Sequence, residues 1–177
     1  MFLVGNEYVS IDASQLIPVA SVVLLGIAAA SDIARRIIPD RVSAALAAFG
    51  ALAGLLHGPR TLLLSAAVAT ALFATLAALH GRGLIGGGDV KLAAAIALGL
   101  PVGAFIGFLE STAFAGGALA LVHLALRLAD PRIAAAPRGS LPRRVLAVEC
   151  WRIRRRGTLP YGVAIACGGA LALLGWS

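Results

Sequence analysis

Long runs of apolar residues, separated by short polar connections, divide most of the chain into candidate helices. These runs are Leu16–Ala34, Val42–His57, Thr61–His80, Val90–Leu100, Val102–Leu126 and Tyr161–Trp176. A helix needs roughly 20 residues to cross a bilayer core, so the first, third and fifth runs are long enough. The second and sixth are short but acceptable with local thinning of the bilayer. The pattern predicts an all-α, polytopic membrane protein with about six transmembrane helices.

The run Val90–Leu100 is too short to cross a bilayer by itself. At about 1.5 Å of rise per residue it covers only about half of the hydrocarbon thickness. Pro101 and Gly103 follow it and indicate a turn. We therefore expect the stretch Val90–Leu126 to form a helical hairpin rather than one continuous helix.

The composition agrees with a membrane protein made of closely packed helices. Hydrophobic residues make up 60% of the 177 positions and charged residues 13%, where soluble domains have about 25% charged residues. The length fits one domain, 1–177. Cys150 and Cys167 have no CxxC pattern, so no zinc site is expected. No Lys or Arg precedes the first apolar run, which argues against a cleaved signal peptide.

The distribution of basic residues predicts the orientation. Fourteen of the fifteen Lys and Arg residues fall in three connections: Arg35, Arg36 and Arg41; Arg82 and Lys91; and nine arginines between positions 127 and 156. The positive-inside rule places these connections in the cytoplasm and both termini on the other side. The segment 127–160 is then a basic cytoplasmic loop that lies on anionic lipid. No nucleic-acid-binding module surrounds it, so nucleic acid is not an expected partner.

Three acids, Asp32, Asp89 and Glu110, interrupt the apolar runs. A carboxylate inside a membrane is costly, so such residues are functional candidates. The predicted topology puts Asp32 and Asp89 at the same depth, near the cytoplasmic face. Two carboxyl groups at one level can share a proton and activate a water molecule. The pattern GxGxxG at Gly81–Gly86 follows a membrane helix instead of a strand, which excludes a dinucleotide loop.

Each aspartate also has a purely structural interpretation. Asp89 precedes an apolar helix and could be its N-cap. Asp32 could form a salt bridge with Arg35 or Arg36 one turn later. Neither explains the glycines Gly86–Gly88 before Asp89, which would let an extended peptide lie close to that acid.

The remaining polar residues of the apolar runs receive structural roles. Glu110 lies in the middle of a helix and is expected to be protonated or hydrogen-bonded inside the bundle. His80 and His123 lie at helix ends near the cytoplasmic face and are assigned to interfacial packing. No third ligand accompanies the two histidines, so no metal site is predicted.

Three segments together resemble one protease family. They are "SDIARRIIPD" (Ser31–Asp40), "GGGDVKL" (Gly86–Leu92) and "LPYGVAIACGG" (Leu159–Gly169). They are similar, in the same order, to the signatures of the prepilin peptidases, also called type IV leader peptidases. The second segment contains that family's Gly-x-Gly-Asp motif.

The resemblance implies an aspartic endopeptidase of the bacterial inner membrane that needs no cofactor. It would cleave the leader peptides of prepilins or pseudopilin-like subunits at the cytoplasmic face. Asp32 and Asp89 match the catalytic aspartates. The other matched positions are Pro39, Gly86, Gly88, Lys91, Pro160, Tyr161 and Gly162.

Two departures from the family pattern refine this expectation. Asp40 occupies a position where the family often has Asn. The CxxC domain and the N-methyltransferase activity of the longer members have no counterpart here. The chain therefore resembles the short form of Flp-type (tad) pilus systems. A non-enzymatic alternative also stays open, in which Asp32, Asp89 and Glu110 form a proton or cation path in a small membrane assembly protein.

Overall fold

A computed structural model gives the fold and describes residues 3–4, 7–8, 13–128 and 159–175. Six helices lie in these ranges: α1 (Ala13–Arg35), α2 (Asp40–Leu56), α3 (Pro59–Gly81), α4 (Gly87–Gly99), α5 (Val102–Leu128) and α6 (Tyr161–Leu173). A short antiparallel pair of strands, β1 (Leu3–Val4) and β2 (Glu7–Tyr8), precedes them. The helical architecture is confirmed, and this strand pair was not predicted. Nearly all of the basic loop predicted at 127–160, Cys150 included, lies outside the described residues.

Three of the helices, α1, α3 and α5, are long and apolar enough to cross a membrane. Their outer surfaces carry large exposed apolar side chains such as Ile27, Leu63, Phe114 and Leu121. An apolar surface of this extent is unfavourable in water and suits contact with lipid. The total number of spans and the side on which each terminus lies stay predictions from the arginine pattern.

The short helix α4 lies at the centre of the bundle and packs against α2, α3 and α6. It is buried on nearly every side, including Val90, Leu92, Ile96 and Ala97. This all-round burial explains its lack of a polar face. The predicted break before Val102 is confirmed, because Leu100 and Pro101 separate α4 from α5. The predicted hairpin packing is wrong, since α5 packs chiefly on α6.

Two contacts hold α4 to its neighbours. A Cβ atom on Gly50 of α2 would lie 2.7 Å from the backbone nitrogen of Gly99, so these two helices touch through their backbones. Small residues at such crossings allow close packing of helices in lipid. At the end of α4, the buried Ser65 hydroxyl of α3 donates a hydrogen bond of 2.7 Å to the Leu100 carbonyl. The Leu100 carbonyl lies at the end of the helix, where backbone carbonyls lack an intrahelical hydrogen-bond partner, and Ser65 supplies one.

Glu110 does not lie inside the bundle, so that expectation is wrong. It is exposed on α5, whose buried residues among those described are Phe108 and His123. The helix uses one face to pack on α6 and leaves most of its residues outside. His123, near the end of α5, is buried.

Candidate active site

The first part of the site is the end of α1, which carries Asp32. The Asp32 side chain is only 6% exposed. Arg36 adopts a left-handed conformation with φ of 57°, and its backbone N–H donates to the Asp32 carbonyl at 2.9 Å. A left-handed residue at this point ends a helix. The Ser31 hydroxyl donates to the Ile37 carbonyl at 2.7 Å and fixes the turn that leads to the buried Ile38.

The second part is the start of α4, which carries Asp89. Gly86 caps this helix, and Asp89 lies within its first turn, so Asp89 is not the N-cap that the structural alternative made it. The Asp89 carboxyl group turns back toward Gly86 and interacts with its backbone N–H. A Cβ atom on Gly86 would lie 3.0 Å from Asp89 Oδ2. An acid in the first turn that reaches back to the capping residue is the arrangement of a capping box.

The third part is the start of α6, where Pro160 is the capping residue and is buried. Tyr161 is half exposed. Gly162 packs directly on the first aspartate, because a Cβ atom there would lie 2.8 Å from Asp32 Oδ2. Only glycine leaves this space free.

Ile38 joins the three parts. A Cβ atom on Gly88 would lie 3.2 Å from Ile38 Cβ, and one on Gly162 would lie 2.9 Å from Ile38 Cδ1. The segment after α1 therefore packs against the starts of both α4 and α6. The expectation that Gly88 leaves room for a substrate backbone is wrong, because Ile38 occupies that space. Sequence reasoning missed this isoleucine, whose only signal was its place in the first matched segment.

The two predicted acids come together in the fold. The carboxyl groups of Asp32 and Asp89 are close enough to repel each other electrostatically when both are charged. Asp32 is buried, and Asp89 is partly exposed at the start of its helix. Two interacting carboxyl groups titrate as a pair and can hold one proton between them. The arrangement is chemically capable of acid–base work on a water molecule, and the catalytic assignment of both residues stays a prediction.

The matched residue Lys91 forms an ion pair with Asp40, one of the positions at which the chain departs from the family pattern. Lys91 Nζ lies 2.8 Å from Asp40 Oδ1, with the lysine side chain 50% exposed and the aspartate 74% exposed. Pro39 caps α2, and Asp40 is its first residue. The pair therefore ties the start of α2 to α4. Sequence spacing could not reveal this contact, because the two residues belong to different segments.

A groove of about 600 Å³ opens between α2, α3 and α4. Alanines form half of its lining, which also includes Asp40 and Lys91, but neither Asp32 nor Asp89 belongs to it. In the part of the chain that the structure describes, no three His, Cys, Asp or Glu side chains gather in a metal-binding arrangement.

Comparison with known proteins adds one finding. The sequence model of the type IV leader peptidase family matches residues 19–121, more than half of the chain. The match includes the segments with Asp32 and Asp89 and ends before α6. No curated protein and no solved structure matches significantly.

Proposed function

Because the chain belongs to the type IV leader peptidase family, we propose that it is a membrane-embedded aspartic endopeptidase. Its substrates are prepilins or pseudopilin-like subunits, from which it removes the leader peptide. Asp32 and Asp89 are the catalytic pair. The family supports a membrane-associated protease, while the aspartic mechanism, the substrate and the cytoplasmic location of the reaction are our proposal.

The observation that carries the proposal is the packing of the Asp32 and Asp89 segments against Ile38, which brings the two carboxyl groups close enough to interact electrostatically. One carboxylate acts as a general base and takes a proton from water, and the water oxygen attacks the scissile carbonyl carbon. The protonated partner donates a hydrogen bond to the carbonyl oxygen as charge develops there. A proton then passes to the leaving nitrogen, the C–N bond breaks, and the leader leaves with a new carboxylate. No step requires a metal or an organic cofactor.

The two acids have different surroundings, which favours one division of roles. Asp89 lies in the first turn of α4, where the helix dipole stabilises a negative charge. Asp32 lies near the C-terminal end of α1, where the dipole opposes one. We therefore assign Asp89 as the general base and Asp32 as the proton-bearing partner in the resting pair.

The site suits a substrate that is itself a membrane protein. The resemblance implies a cut that follows a Gly and precedes the apolar segment of the mature pilin. Such a segment can stay in lipid while the cleavage bond reaches carboxyl groups at the membrane surface. The predicted orientation puts this surface in the cytoplasm of a bacterial inner membrane. The resemblance to the short form implies proteolysis without methylation.

Membranes that contain the wild-type protein, Asp89→Asn or Glu110→Gln test the proposal against the ion-path alternative. Each preparation is mixed with a candidate prepilin, and shortening of the prepilin is followed by electrophoresis and mass spectrometry. We expect cleavage by the wild-type protein and by Glu110→Gln, and none by Asp89→Asn. Glu110 is exposed outside the bundle, so it has no place in the proposed reaction. Absence of cleavage in every preparation, or equal loss in both variants, would contradict the peptidase.

A further inference from the structure

His80 contacts the peptide group that faces the candidate general base. It belongs to the last turn of α3, and its Nδ1 lies 2.7 Å from the carbonyl oxygen of Ile85. A carbonyl oxygen only accepts hydrogen bonds, so Nδ1 carries a proton and donates. The Ile85 carbonyl and the Gly86 N–H belong to one planar peptide unit. That N–H interacts with the Asp89 carboxyl group, which packs so closely on Gly86 that a Cβ atom there would lie 3.0 Å from Asp89 Oδ2.

The geometry thus forms a chain of three groups: imidazole, peptide unit and carboxyl group. Hydrogen bonds in series polarise one another, so a donor on the carbonyl strengthens the N–H on the other side of the same peptide. Because the peptide unit is planar, a hydrogen bond that fixes the direction of the Ile85 carbonyl also fixes the direction of the Gly86 N–H.

The loop between α3 and α4 is built around this histidine. Gly83, with φ of 74°, allows the chain to turn, and its N–H donates to the His80 carbonyl at 2.8 Å. A Cβ atom on Gly87 would lie 3.3 Å from both Cε1 and Nε2 of the imidazole. One edge of the ring therefore packs on Gly87, and the Nδ1 edge contacts the Ile85 carbonyl. Interfacial packing alone does not account for a side chain that contacts the loop at both points.

We propose that His80 is a positioning residue for the catalytic pair. Its imidazole holds the Ile85–Gly86 peptide so that the Gly86 N–H stays directed at Asp89. His80 itself touches neither substrate nor the reacting atoms. This inference rests on the proposed function, because it gives His80 a role in the reaction of Asp89.

Three substitutions separate the hydrogen bond from the bulk of the ring. His80→Ala removes both. His80→Asn keeps an N–H donor at nearly the position of Nδ1, since both nitrogens are attached to Cγ. His80→Gln places its donor one bond further out. His57→Ala is the matched control, because His57 Nδ1 also lies 2.7 Å from a backbone carbonyl, that of Ala53 in the last turn of α2, just before α3 begins.

The first readout is steady-state cleavage of a prepilin by the purified full-length proteins. Misplacement of a reacting group by about 1 Å costs on the order of a hundredfold in rate, so a smaller shift of Asp89 should cost roughly 10- to 100-fold. We expect His80→Ala and His80→Gln to lower kcat on this scale with little change in KM, and His80→Asn to recover most of the loss. His57→Ala should behave as wild type. Unchanged kcat in His80→Ala, or equal loss in His80→Ala and His80→Asn, would overturn the proposal.

The second readout needs no substrate. Hydrogen–deuterium exchange of the segment 81–89 should become faster in His80→Ala and stay close to wild type in His80→Asn. Exchange that is unchanged in His80→Ala would overturn the positioning role whatever the cleavage assay gives. A wild-type protein that cleaves nothing, with exchange behaving as expected, would instead refute the peptidase while retaining the ordering of the loop by His80.

Discussion

The contact between Gly162 and Asp32 allows a substitution that displaces one carboxyl group of the candidate pair. A methyl group on Gly162 would lie 2.8 Å from Asp32 Oδ2 and 2.9 Å from Ile38 Cδ1. Ordinary van der Waals contact with a methyl group begins at about 3.4 Å, so the Asp32 carboxyl group must move by about 0.6 Å or more. A misplacement near 1 Å costs on the order of a hundredfold in rate. We predict that Gly162→Ala lowers kcat by roughly 10- to 100-fold.

A second glycine of α6 provides a matched control. A Cβ atom on Gly169 would lie 2.8 Å from Ile96 Cδ1, which is an equally short contact two turns further along the helix. Overpacking of this kind costs about 1–3 kcal/mol, so both variants should lose similar stability. Gly117→Ala, with nothing within 4 Å of the new methyl group, should resemble wild type.

The assay combines cleavage of a prepilin at matched protein levels with thermal unfolding of the same proteins in detergent. We expect Gly162→Ala and Gly169→Ala to have similarly lowered Tm values, and only Gly162→Ala to lose activity per folded molecule. A Gly162→Ala variant as active as Gly169→Ala would refute the geometry derived for Asp32.

Three further predictions concern the rest of the fold. Lys91→Met should change the free energy of unfolding by less than about 1 kcal/mol, because the ion pair of Lys91 with Asp40 is solvent-exposed. A larger loss of stability in a denaturant titration would contradict this and show that the pair contributes substantially to the packing of α2. Gly50→Ala should destabilise by roughly 1–3 kcal/mol or more, because the methyl would meet the backbone of α4, whereas Gly26→Ala, with open space, should unfold like wild type. A reporter fused after His57 should report the non-cytoplasmic side, and a cytoplasmic signal there would reverse the placement of both aspartates.

The helices themselves could be predicted well from the sequence. The apolar runs locate all six described helices to within a few residues, because length and hydropathy limit what can lie in a bilayer. The break at Pro101 was predicted as well. The same pattern could not predict the packing of α4, since a helix that is apolar on all sides has no face that reveals its neighbours.

The sequence predicted the two acidic residues of the candidate site but not the residues that pack around them. A lone carboxylate in an apolar run is conspicuous because its burial is costly, so Asp32 and Asp89 could be selected from the sequence. Ile38 and His80 carry no such signal, because an apolar or interfacial residue is expected at either position. Glu110 was placed wrongly for a related reason: mean hydropathy does not tell which side of a helix faces the bundle.

The most direct test is cleavage of a defined prepilin by purified wild-type protein, Asp32→Asn and Asp89→Asn in lipid nanodiscs. Each substitution keeps size and hydrogen bonding while it removes one titrating member of the pair. Mass spectrometry of the products locates the cut, and thermal unfolding shows that each variant is folded. We predict a single cut before the apolar segment with the wild-type protein, and no product with either variant. Cleavage that survives at more than a few per cent in either folded variant would contradict the assignment of Asp32 and Asp89 as the catalytic pair.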